Sequence, residues 1–397
     1  MKTAVIGGGA AGFFLAINLK ELMPTADVVI FERSQRLLAK VEVSGGGRCN
    51  CTNTFQHVRD LSSVYPRGHR LMKRLFNVFG PHDAYEWFER HGVPLVVQDD
   101  QCVFPAAQDS HVVMDCFMRE AQRLGIEIQR GVKVQSLADV GVFDTVAVTT
   151  GGSPTMQGLQ WLADMGHEIV APVPSLFTLS INDQRLRQLM GTVAPDVVVR
   201  LTGTKVRAEG PLLVTHWGVS GPAVLRLSSY GARLLAECGY RHPISISWVM
   251  QTEAQVMSAL TKAQSRYAQK QIVSVNPFGL SQRLWAFLAE KSMEGRQQAR
   301  WAEVGKKDLN RMVNTLTNDT YQTSGRAPFK DEFVTCGGVS LASVNPVTME
   351  SRVVPGLYFA GEVLDIDGIT GGFNFQAAWT TAFVAAKAMA SVTILPS

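Results

Sequence analysis

The sequence predicts an α/β fold in which the two ends of the chain build one parallel-sheet domain around a large middle insertion. Three observations carry this. A strand, a glycine turn and a helix open the chain. A second glycine-rich strand, loop and helix close it. Between them the pattern changes to antiparallel alternation and then to polar helices.

Taken in order, residues 3–6 are a short apolar run, as a strand covered on both faces requires. Gly7 to Gly12 form a turn, and Ala10–Leu22 reads as a helix with Pro24 just beyond it. "DVVIFE", Asp27–Glu32, is a second buried strand, so the helix is the crossover of a βαβ unit. Helical patterns follow over 71–91, broken at Pro81, and over 110–124, with Ser110 as N-cap. "VKVQSL" (132–137) and "TVAVTT" (145–150) read as strands, and 157–165 as a short helix. Near Ala171 the character changes. "PDVVVRLTGTKVRAEGPLLVTHWG" alternates and turns like an antiparallel sheet or small barrel. "GPAVLRLSSYGARLLAE" is a helix with Pro222 in its first turn, and "PISISWVM" a strand. Residues 252–317 are largely helical, with a break at "VNPFG". From residue 332 the glycine-rich αβ character resumes: "GLYFAGE" is a strand, "VLDIDGITGG" a loop, and 373–389 an apolar helix.

Composition bounds the function. With 46% hydrophobic and 18% charged residues among 397, the chain is globular and long enough for two or three cores. A net charge of +4 is too weak alone to imply nucleic acid. Six cysteines without a framework fit a reducing compartment. The opening residues resemble a signal peptide, but Gly7, Gly8, Gly9 and Gly12 interrupt the apolar run. With no apolar run long enough to span a bilayer, no membrane association and a cytoplasmic location are expected.

"GGGAAG" contains Gly7-x-Gly9-x-x-Gly12. Gly7 permits the tight turn, Gly9 lets backbone approach a pyrophosphate, and Gly12 lets helix and strand pack closely. The first-turn N–H groups at Ala10 and Ala11 face the phosphate, and Glu32, followed by Arg33, ends the next strand where a carboxylate meets ribose hydroxyls. The motif alone suits NAD or FAD. The C-terminal element decides for a tightly bound FAD, because only a long cofactor with a ribityl chain and a flavin ring needs it. There Gly361 and Glu362 meet the ribityl chain. Gly371 and Gly372 offer backbone N–H groups to the flavin, and the helix starting at Phe373 and Asn374 stabilises negative charge on it. No second Gly-x-Gly-x-x-Gly occurs between strand and helix, so NAD(P)H is expected only as a transient donor. "TTGG", with Thr150 and Gly151, returns beside the pyrophosphate, and the Val134 backbone is placed near adenine.

In chain order, "GGGAAG", "SGGGRCNCTN", "YPRG", "CVFP", "THWGVSGPAVL" and "VTCGGVSLASVNPVTMESRVVPGLYFAGEVLDIDGITGGFNFQAAW" resemble the BaiN/RdsA family of NAD(P)/FAD-dependent oxidoreductases over almost the whole chain. The resemblance implies a Rossmann-like, glutathione-reductase-like FAD-binding domain interrupted by a β-barrel-like domain and a small helical domain. The corresponding divisions are 1–170 with 332–397, then 171–251, then 252–331. It implies that Gly46, Gly47, Arg48 and Asn50 line the flavin site, with Lys40 upstream. Cys49 and Cys51 are spaced wrongly for structural zinc and too closely for an unstrained disulfide, so no metal is expected and both read as free thiols.

Catalytic candidates are Arg48, His216 and Cys49. The resemblance leaves the substrate open among a uridine in large-subunit ribosomal RNA, reduced to dihydrouridine, a steroid-like enone and an aminoketone. Two basic stretches, Arg59 to Arg74 and Lys291 to Arg311, favour ribosomal RNA over a small molecule as the partner. Trp87, Trp217 and Trp301 read as packing residues, and oligomeric state is left open.

Overall fold

A computed structural model describes residues 1–296, 298–327 and 334–391. The chain divides into two compact units, Met1–Pro174 with Val334–Ser397, and Ser175–Phe333. The domain boundary expected at 331/332 falls outside the described residues.

The first unit is built on five parallel strands: β1 (Lys2–Ile6), β2 (Asp27–Glu32), β3 (Glu127–Arg130), β4 (Thr145–Val148) and β5 (Leu357–Phe359). Their order across the sheet is β3-β2-β1-β4-β5. This is the doubly wound order, and the direction of winding reverses between β1 and β4, where ligands bind such sheets. The strand expected at "VKVQSL" is corrected. The residues that pair with β2 are Glu127 to Arg130, in register with Val29 to Glu32. Gly131 then takes φ 77° and ends the ladder, and Val132 N donates the last bond to Glu32 O at 2.9 Å.

Helix α1 (Ala10–Leu22) is buried along its whole run from Ala11 to Leu19, so it reads as apolar all round rather than amphipathic. The C-terminal helix α5 (Phe373–Ala390) packs along it. Between them lie α2 (His69–Leu75), α3 (Pro81–Arg90) and α4 (His111–Arg123) in chain order. Pro81 opens α3, where its missing N–H costs nothing. Ser110 does not cap α4: its hydroxyl donates to Glu42 O at 2.8 Å, and Asp109 takes the His111 N–H at 2.9 Å instead. An aromatic cluster joins these helices. Phe14 lies 4.6 Å from Trp87 and 5.1 Å from Trp379, ring to ring, and Phe117 lies 5.7 Å from Trp379.

The second unit contains a closed barrel of six strands, paired antiparallel: Val193–Leu201, Arg207–Val214, Gly218–Ser220, Leu179–Ile181, Asp319–Arg326 and Pro243–Ser247. The helices Glu253–Arg266, Gln282–Met293 and Lys306–Thr317 share one hydrophobic core with it, including Trp248, Trp285 and Trp301. Among the described residues, no helix is long and apolar enough to cross a membrane.

At the end of α3, His91 lies over the Trp87 ring at 3.9 Å. Its Nδ1 is 2.6 Å from Trp87 O and its Nε2 is 3.0 Å from the Glu21 carboxylate. Glu120 stands close by and holds Arg119 and Arg123. Burial works against charge on His91, but the bonds to Glu21 and Trp87 outweigh it and raise the pKa above the ordinary value. A raised folded-state pKa gives stability that is fully present below the unfolded value, near 6.5, and lost as pH rises through the folded value. His91→Gln is therefore expected to destabilise the chain more at about pH 6 than at about pH 9. Urea unfolding of both proteins at the two pH values checks this, and an equal loss at both would show that the imidazole acts by packing alone.

Candidate functional site

The site begins where β1 and β4 end. Gly7 has φ 118°, and a side chain there would stand 2.5 Å from Thr149 O. The Thr149 hydroxyl reaches Ile6 O and Gly7 O, each at 3.0 Å, and locks the turn. At Gly12 a Cβ would fall 1.9 Å from Gly7 O, so only glycine lets α1 start this close to the strand. Gly9 caps α1 with no side-chain bond, and a Cβ there would meet nothing within 4 Å. The first-turn N–H groups at Ala10 and Ala11 have no partner within the helix, and the space beside Gly9 is open, as anion binding requires.

Glu32 accepts Gly8 N and Ser34 N, each at 2.8 Å, one on each oxygen. The carboxylate thus braces the glycine turn and keeps lone pairs for further donors. Arg33 beside it is exposed. Val134 lies on no strand but in the irregular run after Gly131. Thr150 is exposed and Gly151 takes φ 73° with open space beyond its Cα.

"SGGGRCN" folds as a left-handed loop. Gly45, Gly46 and Gly47 have φ 58°, 69° and 83°, which other residues adopt only with strain. Cβ atoms at Gly46 and Gly47 would meet nothing within 4 Å. Arg48 closes the loop: its Nε donates to Gly45 O at 3.1 Å, one terminal nitrogen to Gln108 Oε1 at 3.2 Å, and its guanidinium sits 4.3 Å over the Phe104 ring. Cys49 and Cys51 are fully buried free thiols, and burial pushes the Cys51 thiol well above its ordinary value. Asn50, with its amide nitrogen turned toward carbonyls, donates to Thr52 O at 2.8 Å and accepts from Gly372 N at 3.2 Å.

That last bond brings in the C-terminal element. A Cβ on Gly372 would lie 2.2 Å from Thr52 O, so the backbones touch. Asn53 Nδ2 donates to Gly371 O at 3.1 Å, Tyr65 OH to Phe373 O at 2.8 Å, and Trp379 Nε1 to Cys51 O at 2.8 Å. Asn374 pins the preceding loop, donating to Gly368 O at 2.9 Å and accepting Gly368 N at 2.8 Å. Gly372 caps α5 at φ 86° with no side-chain bond. Gly361, at φ 78°, brings the end of β5 against Ala11. Glu362 pairs with Lys40 at 2.6 Å and accepts Thr335 N at 2.8 Å.

The structure thus gathers the glycine turn, Glu362, Lys40, the "SGGGRCN" loop and Gly371 to Asn374 within the first unit. His216 belongs to the second unit, exposed in the turn before Gly218–Ser220, with its ring 4.8 Å from that of Trp217. Sequence reasoning missed one pair. Arg67 and Asp367 form a two-pronged ion pair, and Asp367 is only 1% exposed. Burial opposes the charge on Arg67, but Asp367 holds its pKa above the ordinary value. The only signal was an arginine in "YPRG" and an aspartate in "DIDG", 300 positions apart.

The residues present fit FAD: two helix N-termini capped by bare glycines, and open space above Gly9, Gly46, Gly47 and Gly151. The HI0933-like protein Rossmann domain profile matches residues 1–388. The chain belongs to the HI0933-like family. It is similar to the 3-dehydro-bile acid delta(4,6)-reductase of Clostridium scindens, 28% identical over 98% of this chain and 99% of that one. The ribosomal RNA dihydrouridine synthase of Escherichia coli K12 is 26% identical over 96% of each chain. A solved 3-ketosteroid delta1-dehydrogenase from Sterolibacterium denitrificans shares the fold, with a TM-score of 0.51 at 11% identity over 98% of this chain and 99% of that one. This HI0933-like chain is an FAD-dependent oxidoreductase.

The glycines of the turn separate folding from cofactor binding. Gly9→Ala is expected to fold with a loss of no more than about 1 kcal/mol at the cap, since a Cβ there meets nothing within 4 Å, yet to purify without flavin. Gly12→Ala is expected to yield no folded protein. Flavin absorbance and circular dichroism of the two variants check this, and a flavin-bound Gly9→Ala protein would remove the pyrophosphate from this cradle.

Proposed function

We propose that this HI0933-like enzyme uses NAD(P)H, docking transiently, to reduce the C5=C6 bond of a uridine in large-subunit ribosomal RNA. The balance is uridine, NAD(P)H and a proton giving dihydrouridine and NAD(P)+. FAD, when bound, supplies hydride acceptance and donation. The chain supplies the rest. The first-turn N–H groups of α1 hold the pyrophosphate, and the bare N-terminus of α5 stabilises negative charge beside Gly371 and Gly372. Arg48, bound to Gly45 O and Gln108, holds the "SGGGRCN" loop against the site. The observation that carries the redox reading is this pair of glycine-capped helix N-termini within the first unit. The RNA reading is supported by relatives in Escherichia coli and Haemophilus influenzae that carry the name ribosomal RNA dihydrouridine synthase and cover 96% and 97% of this chain.

A second reading, reduction of a steroid-like enone, is favoured by the bile acid reductase relative at 28% identity. Nucleoside mass spectrometry separates the two. Ribosomal RNA from a strain lacking the gene is expected to lose a dihydrouridine that the wild-type gene restores. Arg48→Ala gives up two hydrogen bonds of about 1 kcal/mol each, so it is expected to lower the rate of restoration by about tenfold or more. An unchanged nucleoside profile in the deletion strain would remove the RNA reading and leave the enone.

A further inference from the structure

The two basic stretches differ in a way composition does not reveal. In the second, Lys291 pairs with Asp319 at 2.5 Å, Arg296 with Asp308 at 2.5 Å, and Arg311 with Glu294 at 2.7 Å and Asp308 at 2.5 Å. Those charges are spent on the fold. In the first stretch, Arg70, Lys73 and Arg74 stand at i, i+3 and i+4 on α2, which places them on one face. All three are exposed, while Leu71, Met72 and Leu75 bury the other face. Arg59, also exposed, precedes the short helical turn Leu61–Ser63 that packs on α2. Among the described residues, none of these four cations makes an ion pair. The lone acid of the stretch, Asp60, is occupied by Ser62, whose side chain and N–H both bond its carboxylate.

The placement of α2 matters as much as its charge. Arg67, two residues before it, pairs with Asp367. A Cβ on Gly68 would press on the Ile366 side chain at 2.7 Å, and Ile369 N donates to Val64 O at 2.9 Å. The segment leading into α2 is thus fastened to the loop that runs into Gly371 and Gly372, the cap of α5. A polyanion held on α2 therefore lies next to a segment bonded to the loop that runs into Gly371 and Gly372.

We propose that Arg59, Arg70, Lys73 and Arg74 form the surface that grips the phosphate backbone of the RNA substrate next to the reacting base. This rests on the RNA reading given above. The contact reads no sequence; it fixes register, and base selection falls to the site itself. Each phosphate neutralised releases counterions, so each lost contact lowers the salt dependence of binding by about 0.7–0.9 in log–log slope.

The test uses the full flavin-loaded chain and deproteinised large-subunit ribosomal RNA from the deletion strain, over a potassium chloride series. R70Q/K73Q/R74Q is expected to bind at least about tenfold more weakly at low salt, with a slope shallower by about 2 to 3. R70K/K73R/R74K keeps the charges and is expected to retain the wild-type slope. K306Q/K307Q, which removes exposed charge from the second stretch, is expected to match wild type. Flavin absorbance and circular dichroism establish that each variant is folded. If wild type binds and modifies the RNA while R70Q/K73Q/R74Q keeps its slope, the surface is overturned and the RNA reading stands. If wild type neither binds nor modifies the RNA, the RNA reading falls and the surface falls with it.

Discussion

The candidate site depends on a backbone contact between residues far apart in the chain. The carbonyl of Thr52 lies against Gly372, and Asn53 donates to Gly371 across 318 positions. Any side chain at Gly372 would drive the two segments apart. With them would go the bonds from Asn50, Tyr65 and Trp379 that hold α5 and its cap to residues 50–65. The glycine turn of α1 can form without this contact. The crevice cannot, because its two helix N-termini come from opposite ends of the sequence. The buried aromatic cluster of Phe14, Trp87, Phe117 and Trp379 stabilises the join, since truncating any one such buried ring to alanine costs about 3–5 kcal/mol.

Much of this was legible in the sequence because the signals were local. β1, α1 and β2 follow from a strand, glycines at fixed offsets and an apolar helix, and the structure places α1 and β2 at the residues read from the pattern. The barrel was legible as alternation, its closure into six strands was not, because closure is decided by pairing between strands far apart in sequence. The strand expected at "VKVQSL" lies instead at "EIQR". Pairing with β2 decided this, and Gly131 ended the strand before the alternating residues began. Ser110 looked like a cap by residue type, but a nearer acceptor, Glu42 O, took its hydroxyl. The Arg67–Asp367 pair joins positions 300 apart, and no spacing rule reaches that far.

Electrostatics shows the same limit from another side. Asp319 is buried at 3% exposure and holds three donors: Lys291, the Trp248 indole and the Tyr321 hydroxyl. A buried carboxylate without such partners costs several kcal/mol, so Lys291 is committed to its place. A count of charges gives Lys291 and Arg70 equal weight. Only the fold distinguishes a cation that neutralises a buried acid from one that faces solvent on a helix surface.

The carboxylates of the crevice suggest why the site can be both firm and receptive. Glu32 and Glu362 are each held by a backbone N–H, to Gly8 and Ser34 in one case and Thr335 in the other. A side chain fixed in this way has already given up its rotamer freedom in folding, so a hydroxyl that binds to its remaining lone pairs meets an oriented acceptor. Lys40 adds a charge to Glu362 from a half-exposed position, where solvent screens the pair and leaves it easy to exchange. The rigid partner is the backbone and the exchangeable partner is the lysine. That division leaves Glu362 with one partner that solvent can replace and one fixed in the strand Val334–Val339 that carries Thr335.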